Sequence, residues 1–305
     1  MTERTTRTDA VMADRPALGA LLLGAVLVGA SPIFVRLSEL GPMATAFYRP
    51  FLAVPVLMVW MAADRRRNPQ SRRPAGRNDY FRLLLAGAFF SGDLAFWHLS
   101  ILHTSVANAT LFANFAPIFV TLGAWLLFSQ RVTQQYLLGM SLALVGAVIL
   151  AGESLTIAPE NLLGDAFGIV TAMFLACYIL AISRLRAGFS TPTTIAWSSV
   201  GTAALLLPVA LLSEHAIFPV TLHGWLILIG LALLSHVAGQ GLIAYALAHL
   251  PPGFSSIGLL LEPVAAALLA WVVLFEAISP WQAAGGAVIL WGIVMARRGS
   301  RDRRS

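Results

Sequence analysis

Ala116-Pro117-Ile118-Phe119-Val120-Thr121-Leu122-Gly123-Ala124-Trp125 is echoed 146 residues later by Glu262-Pro263-Val264-Ala265-Ala266-Ala267-Leu268-Leu269-Ala270-Trp271. Pro117 falls on Pro263, Leu122 on Leu268 and Ala124-Trp125 on Ala270-Trp271. The same offset, without a gap, carries Gly139 to Gly285, Leu144 to Leu290, Gly146 to Gly292 and Val148 to Val294. The chain is therefore an internal repeat, and the place of this pair within each copy divides the rest.

Outward from the pair, apolar residues come in blocks of about 20, the length that crosses about 30 Å of hydrocarbon at about 1.5 Å per residue. Helices are predicted at 17–36, 43–63, 80–102, 105–128, 133–152, 162–184, 192–213, 222–248, 252–275 and 280–297. The fold class is all-α integral membrane, with ten transmembrane helices. The first repeat is 17–152 and the second 162–297, between a cytoplasmic N-terminal tail at 1–16 and a basic cytoplasmic tail at 298–305. Five helices per copy is an odd number, so the second copy starts on the other side and the repeats are inverted. Inverted repeats recur in secondary transporters, where rocking one half against the other exchanges access between the two sides.

Composition excludes a soluble globule: 58% of the 305 residues are hydrophobic and 11% charged, with a mean hydropathy of +0.79. The net charge of +6 invites a nucleic-acid reading, which position argues against. All twenty basic residues are Arg, and most occupy short links between apolar blocks. With the N-terminus in the cytoplasm, every Arg except Arg36 and Arg49 falls on the cytoplasmic side. The opposite links carry Glu39, Glu153, Glu160, Glu214 and Glu276. This obeys the positive-inside rule and places a multi-pass protein in a bacterial inner (plasma) membrane, both termini cytoplasmic. The Arg-rich link 64–79, with Pro69, Pro74 and Gly76, reads as a flexible cytoplasmic segment beside anionic headgroups. Arg4, Arg7 and Arg15 followed by an apolar run and Val28-Gly29-Ala30 imitate a secretory signal; nine further spans favour an uncleaved first helix. The lone Cys177 excludes an intrachain disulfide and reads as a small buried hydrophobe.

Ionisable groups at mid-bilayer cost at least about 2.5–3.5 kcal/mol, so each needs a reason. Glu262 lies near the middle of the ninth helix, just before Pro263; it can bind an ammonium, carry a proton or pair with Arg49. Arg49 lies about 9 Å inside the second helix; it anchors a substrate carboxylate or forms a salt bridge with Glu262 or Asp93. Asp93 is central in the third helix, with Trp97 and Ser100 on its face, a pairing of acid and aromatic that suits an organic cation or an amino acid. Thr110, Asn114, Pro117 and Thr121 form a polar stripe on the fourth helix, facing the bundle interior or packing by interhelical hydrogen bonds. His236 and Gln240, one turn apart in the eighth helix, and Tyr178 complete the candidates. His98 and His103 read as helix partners rather than ligands. The glycines Gly24, Gly29, Gly139, Gly146, Gly285 and Gly292 read as close helix contacts.

Leu261-Glu262-Pro263 through Trp271, then Phe275-Glu276 and Gly285, resembles the second-repeat signature of the EamA-type drug/metabolite transporter (DMT) superfamily. Ala116-Pro117 through Leu126, with Gln130 and Gly139, resembles the first-repeat version, and Thr104-Ser105-Val106-Ala107-Asn108-Ala109 is similar to the family's third-to-fourth helix junction. The resemblance spans roughly 17–297. It implies a ten-helix inverted-repeat fold with a central cavity between the repeats. It also implies transport, often export, of amino acids, amines, riboflavin-like metabolites, nucleotide sugars or toxic compounds. Family members often carry an acid at both helix ends where this chain has Gln130 and Glu276.

The chain lacks a Walker A motif, so a gradient, by way of a proton or an antiported solute, is the expected energy source. No metal-spaced His/Cys/Asp/Glu cluster and no cofactor motif is present. The expected function is therefore secondary active transport of a small organic metabolite (an amino acid, amine or similar) by alternating access. The competing classes are a membrane-embedded enzyme, for which no clustered nucleophile and base appears, and a structural or channel protein, for which no selectivity ring appears.

Overall fold

The computed structural model describes residues 2–301 except 153, 154, 156, 157 and 215. Glu153, Arg303 and Arg304, and the side chains of Arg4, Arg7 and Arg301, lie outside what it describes. The described chain is helical, without strands. Among the described residues nine helices are long and apolar enough to cross a membrane: α1 (Arg15–Leu37), α2 (Pro42–Arg67), α3 (Arg77–His103), α4 (Val106–Phe128), α5 (Gln134–Ala151), α6 (Pro159–Arg186), α7 (Thr191–Ser213), α8 (Leu222–Ala246) and α9 (Pro252–Leu274). The tenth predicted span forms as a helix, α10 (Pro280–Arg301), but is not among the nine. Gln282 and Gly285, Gly286 and Gly292 dilute its apolar stretch, and Arg297, Arg298 and Arg301 crowd its last turns.

The repeat is visible in the backbone. α4 breaks between Ala113 and Ala116, and α9 between Gly258 and Leu261. Pro117 and Pro263 lack the N–H that would bond the carbonyl four residues earlier, so both helices are interrupted at equivalent places. Both also end on a non-glycine residue in the left-handed region, Ser129 at φ 52° and Phe275 at φ 57°. Ser129 and Gln130 donate their amides to the Ala124 carbonyl, and Phe275 and Glu276 donate theirs to that of Ala270. The prolines, the left-handed ends and their carbonyl acceptors keep the 146-residue offset, and the breaks fall within one residue of it. The break at Asn114 divides the polar stripe predicted for α4. Thr121 is turned to the Tyr136 hydroxyl of α5, 2.8 Å away.

α5 and α10 form the most extensive helix pair. A Cβ built on Gly139 would lie 2.8 Å from the Gly292 carbonyl oxygen, and one on Gly292 would lie 2.7 Å from that of Gly139. Gly146 and Gly285 stand in the same reciprocal relation, at 2.9 and 2.8 Å. Four glycines thus bring two equivalent helices into backbone contact, one from each repeat.

The links separate into two ends. At the arginine-rich end, Thr133 Oγ1 donates to the Gly299 carbonyl at 3.0 Å, and Arg186 donates to the carbonyls of Ala244 and Phe189. Arg72 is held between Asp79, at 2.8 Å, and the Phe189 ring, 4.7 Å from its centroid. The link 64–79, predicted to be flexible, is therefore folded back on the turn between α6 and α7. At the acidic end, Glu39 accepts from the amides of Val220 (3.0 Å) and Thr221 (3.2 Å) and from the Thr221 hydroxyl, at the start of α8. Glu214 Oε1 accepts from the Met43 amide at the start of α2, 2.6 Å away. Each carboxylate sits where free amides and the helix dipole favour negative charge, and each reaches across from the other repeat. Arg36 and Glu276, 2.5 Å apart and half exposed, join the repeats at the same end.

Two predictions follow from this packing. Gly285→Ala should lower the thermal stability of the purified protein by roughly 1–3 kcal/mol through overpacking. Gly286→Ala should cost little, because its Cβ would meet nothing closer than Val264 Cγ1 at 3.5 Å; a melt in which both variants behave alike would contradict the glycine contact. The Thr221 hydroxyl, followed by the Thr221 amide, holds the Glu39 carboxyl below its ordinary value of 4.5. The resulting stabilisation is present above pH 4.5 and is lost as pH falls through the lower folded-state value. Glu39→Gln should therefore melt below wild type at pH 7, with the gap closing on acidification.

Candidate functional site

The break in α4, the break in α9 and a third at Ala30 in α1, two residues before Pro32, surround a cavity of about 210 Å³. Helix interruptions expose backbone that a buried cavity can accommodate. Arg49, Asp93, Trp97, Thr110, Asn114, Tyr178, Gln240 and Glu262 all line this space. They come from α2, α3, α4, α6, α8 and α9, so both repeats contribute. Gly29 allows the approach of α1: its Cβ would lie 2.7 Å from the Glu262 carbonyl oxygen.

His236 does not join them. Its Nε2 is 2.7 Å from Ser199 Oγ of α7, and its ring lies against Phe90, 5.8 Å between centroids. Over Leu231–Gln240 the backbone is a π-helix, a form often found beside functional sites. It turns Gln240 toward Tyr178, whose hydroxyl is 3.5 Å from Oε1, and leaves His236 in the packing behind. Ser100, expected on the face of Asp93, instead donates to the Gly164 carbonyl at 2.7 Å and ties α3 to α6.

Arg49 is 7% exposed, and Nε and Nη2 of its guanidinium are buried without a hydrogen-bond partner. Neither Asp93 nor Glu262 is in ion-pair contact with it, so the salt bridge weighed from sequence is not formed. The two acids act on Arg49 only through space. Its guanidinium carbon lies 5.6 Å from the Phe90 ring centroid, and Phe90 stacks on Tyr178 at 4.7 Å. Asp93 is 9% exposed. The cavity therefore holds one positive and two acidic groups, kept apart, beside an aromatic wall.

Sequence reading passed over Ser31, Thr45, Phe90 and Thr171, and took His98 for a helix partner; all five also line the cavity. Ser31-Pro32 carried a signal, as a polar residue before a helix-breaking proline. His98 was not joined to the site because it is five residues from Asp93 and falls off that acid's helical face.

A second cavity, about 450 Å³, opens at the arginine-rich end and is lined by Thr121, Gln130, Arg131, Tyr136, Ser183 and His249 among others. Asn114 and Thr121 of α4 face different cavities, as do Ile179 and Ser183 of α6. Val120, beside Thr121, and Ile182, beside Ser183, are fully buried in one apolar cluster.

The profile of the EamA-like transporter family matches residues 15–152 and 162–298. The chain belongs to this family. Like its EamA relatives it is a multi-pass membrane protein. It is 29% identical over 281 residues to an uncharacterized transporter of Archaeoglobus fulgidus, covering 92% of this chain and 95% of that one. A second uncharacterized transporter of the same organism is 27% identical over 281 residues, covering 90% and 95%. A probable terminal-alkyne amino-acid exporter of Streptantibioticus cattleyicolor is 25% identical over 236 residues, covering 76% of this chain and 78% of that protein. A solved crystal structure superposes with a TM-score of 0.78 at 22% identity, covering 95% of this chain and 99% of that one, which shows a shared fold.

Proposed function

We propose that this chain is a secondary active transporter, most simply an exporter, of a small zwitterionic metabolite of the amino-acid class. It works by alternating access across a bacterial inner membrane. Ten helices cross the bilayer as two inverted repeats, 17–152 and 162–297, with both termini and the arginine-rich end in the cytoplasm. The two cavities are the two halves of one path, and the apolar cluster at Val120 and Ile182 separates them. The name of the Streptantibioticus relative supports the substrate class and the direction.

The observation that carries this reading is the buried, unpartnered guanidinium of Arg49. An uncompensated buried charge costs about 3–5 kcal/mol. A ligand carboxylate arriving at Nε and Nη2 can bond two parallel N–H groups, the bidentate geometry that favours Arg over Lys. Asp93 and Glu262 are then free to receive an ammonium, with Trp97, Phe90 and Tyr178 against the rest of the ligand. A simple amine would leave Arg49 unsatisfied, and a simple carboxylate would leave two acids unopposed.

Purified protein screened against the twenty protein amino acids should show a raised melting temperature with a subset of them. Arg49→Gln should weaken that binding roughly 10- to 100-fold, the loss of a charged hydrogen-bond pair; unchanged affinity would remove the basis of the carboxylate assignment. For coupling, a proton carried by Asp93 or Glu262 is the proposed partner, and an antiported solute is the other outcome. In proteoliposomes, Asp93→Asn combined with Glu262→Gln should abolish uptake driven by a pH gradient. Full uptake by the double variant would rule out both groups as proton carriers.

A further inference from the structure

His98 is 5% exposed and lies in the wall of the central cavity. Its Nδ1 is 2.7 Å from the Leu94 carbonyl oxygen, one turn back on α3. A carbonyl only accepts, so Nδ1 carries the hydrogen, and in the neutral ring Nε2 is left as a lone pair. That Nε2 is buried and has no partner. His98 therefore brings to the cavity wall, on the same helix as Asp93, a neutral imidazole whose acceptor nitrogen has no partner in the protein. Ser31 Oγ, another cavity-lining atom, is also buried without a partner. Unsatisfied buried polar atoms are few in native proteins, and their gathering around one space marks what its occupant must satisfy.

We propose that His98 Nε2 is a specificity-determining acceptor for an N–H of the ligand's ammonium group. The inference rests on the zwitterion reading and adds to it. A carboxylate attracts any cation through charge, whereas a neutral imidazole nitrogen rewards only a group that brings a hydrogen. Asp93 and Glu262 select for positive charge, and His98 selects primary ammonium over quaternary ammonium. The bond to Leu94 uses the other nitrogen and leaves Nε2 for a partner from outside the helix. The adjacent Trp97 ring stands edge-on to the imidazole, 5.0 Å between centroids.

The test pairs the amino acid that stabilises the purified protein most with its own N,N,N-trimethyl betaine, which keeps both charges and has no N–H. Affinities for both are measured on wild type, His98→Leu and His98→Gln. Wild type should prefer the amino acid by roughly 10- to 100-fold, the size of a charge-assisted hydrogen bond. His98→Leu should lose that preference through weaker amino-acid binding, with betaine affinity changed less than about twofold. His98→Gln, which restores an acceptor, should recover part of the preference. A preference that survives His98→Leu reflects steric exclusion of the methyl groups and overturns the proposal. Equal losses for both ligands indicate a purely structural role and overturn it as well. If wild type binds amino acids yet the ratio does not move, only the His98 assignment falls. If wild type binds none of the twenty, the zwitterion reading falls and takes this one with it.

Discussion

Backbone contact between α5 and α10 is the constraint on which the arrangement depends. In lipid there is little hydrophobic gain from bringing helices together, so association rests on dispersion and close approach. Gly139 against Gly292 and Gly146 against Gly285 supply that approach at two levels, and each pair consists of residues from different repeats. A side chain at any of these positions would push the two copies apart. The carboxylate caps Glu39 and Glu214 and the Arg36–Glu276 pair then join the repeats at the acidic end. The exposed contacts among these, at Glu39 and between Arg36 and Glu276, are individually weak.

Symmetry of backbone and asymmetry of chemistry coexist in the same helices. The prolines behind the breaks, the left-handed ends and the contacting glycines repeat at one offset. The cavity residues do not repeat. At the same offset Arg49 falls on Ile195, Asp93 on Gly239, and Ala116 on Glu262. A duplicated scaffold thus holds a single site whose positive and acidic groups come from different elements and are kept from neutralising each other. A pre-formed ion pair would satisfy the protein and leave nothing for a ligand.

Much of this was legible in the sequence. Apolar blocks of bilayer length, arginines confined to alternate links and a gap-free offset depend on local composition and spacing, which the chain carries in one dimension. Most of the cavity's charged and polar lining was legible too, since such a residue within an apolar run is costly against lipid. Ser100, on the face of Asp93, and the candidate His236 do not line the cavity, because a helical face is shared among several neighbours. Ser100 meets the Gly164 carbonyl and His236 meets Ser199, partners supplied by helices far away in sequence.

By itself, then, the sequence determined the spans, their repeat and the set of groups too costly to leave in lipid. Tertiary structure decided which of those groups meet. It placed Arg49 near Asp93 and Glu262 without pairing them, stacked Phe90 between Arg49 and Tyr178, and left the His98 Nε2 bare. These outcomes follow from how three interrupted helices pack around one space. Side-chain reach across that space is a matter of a few ångströms, which spacing along a chain does not encode.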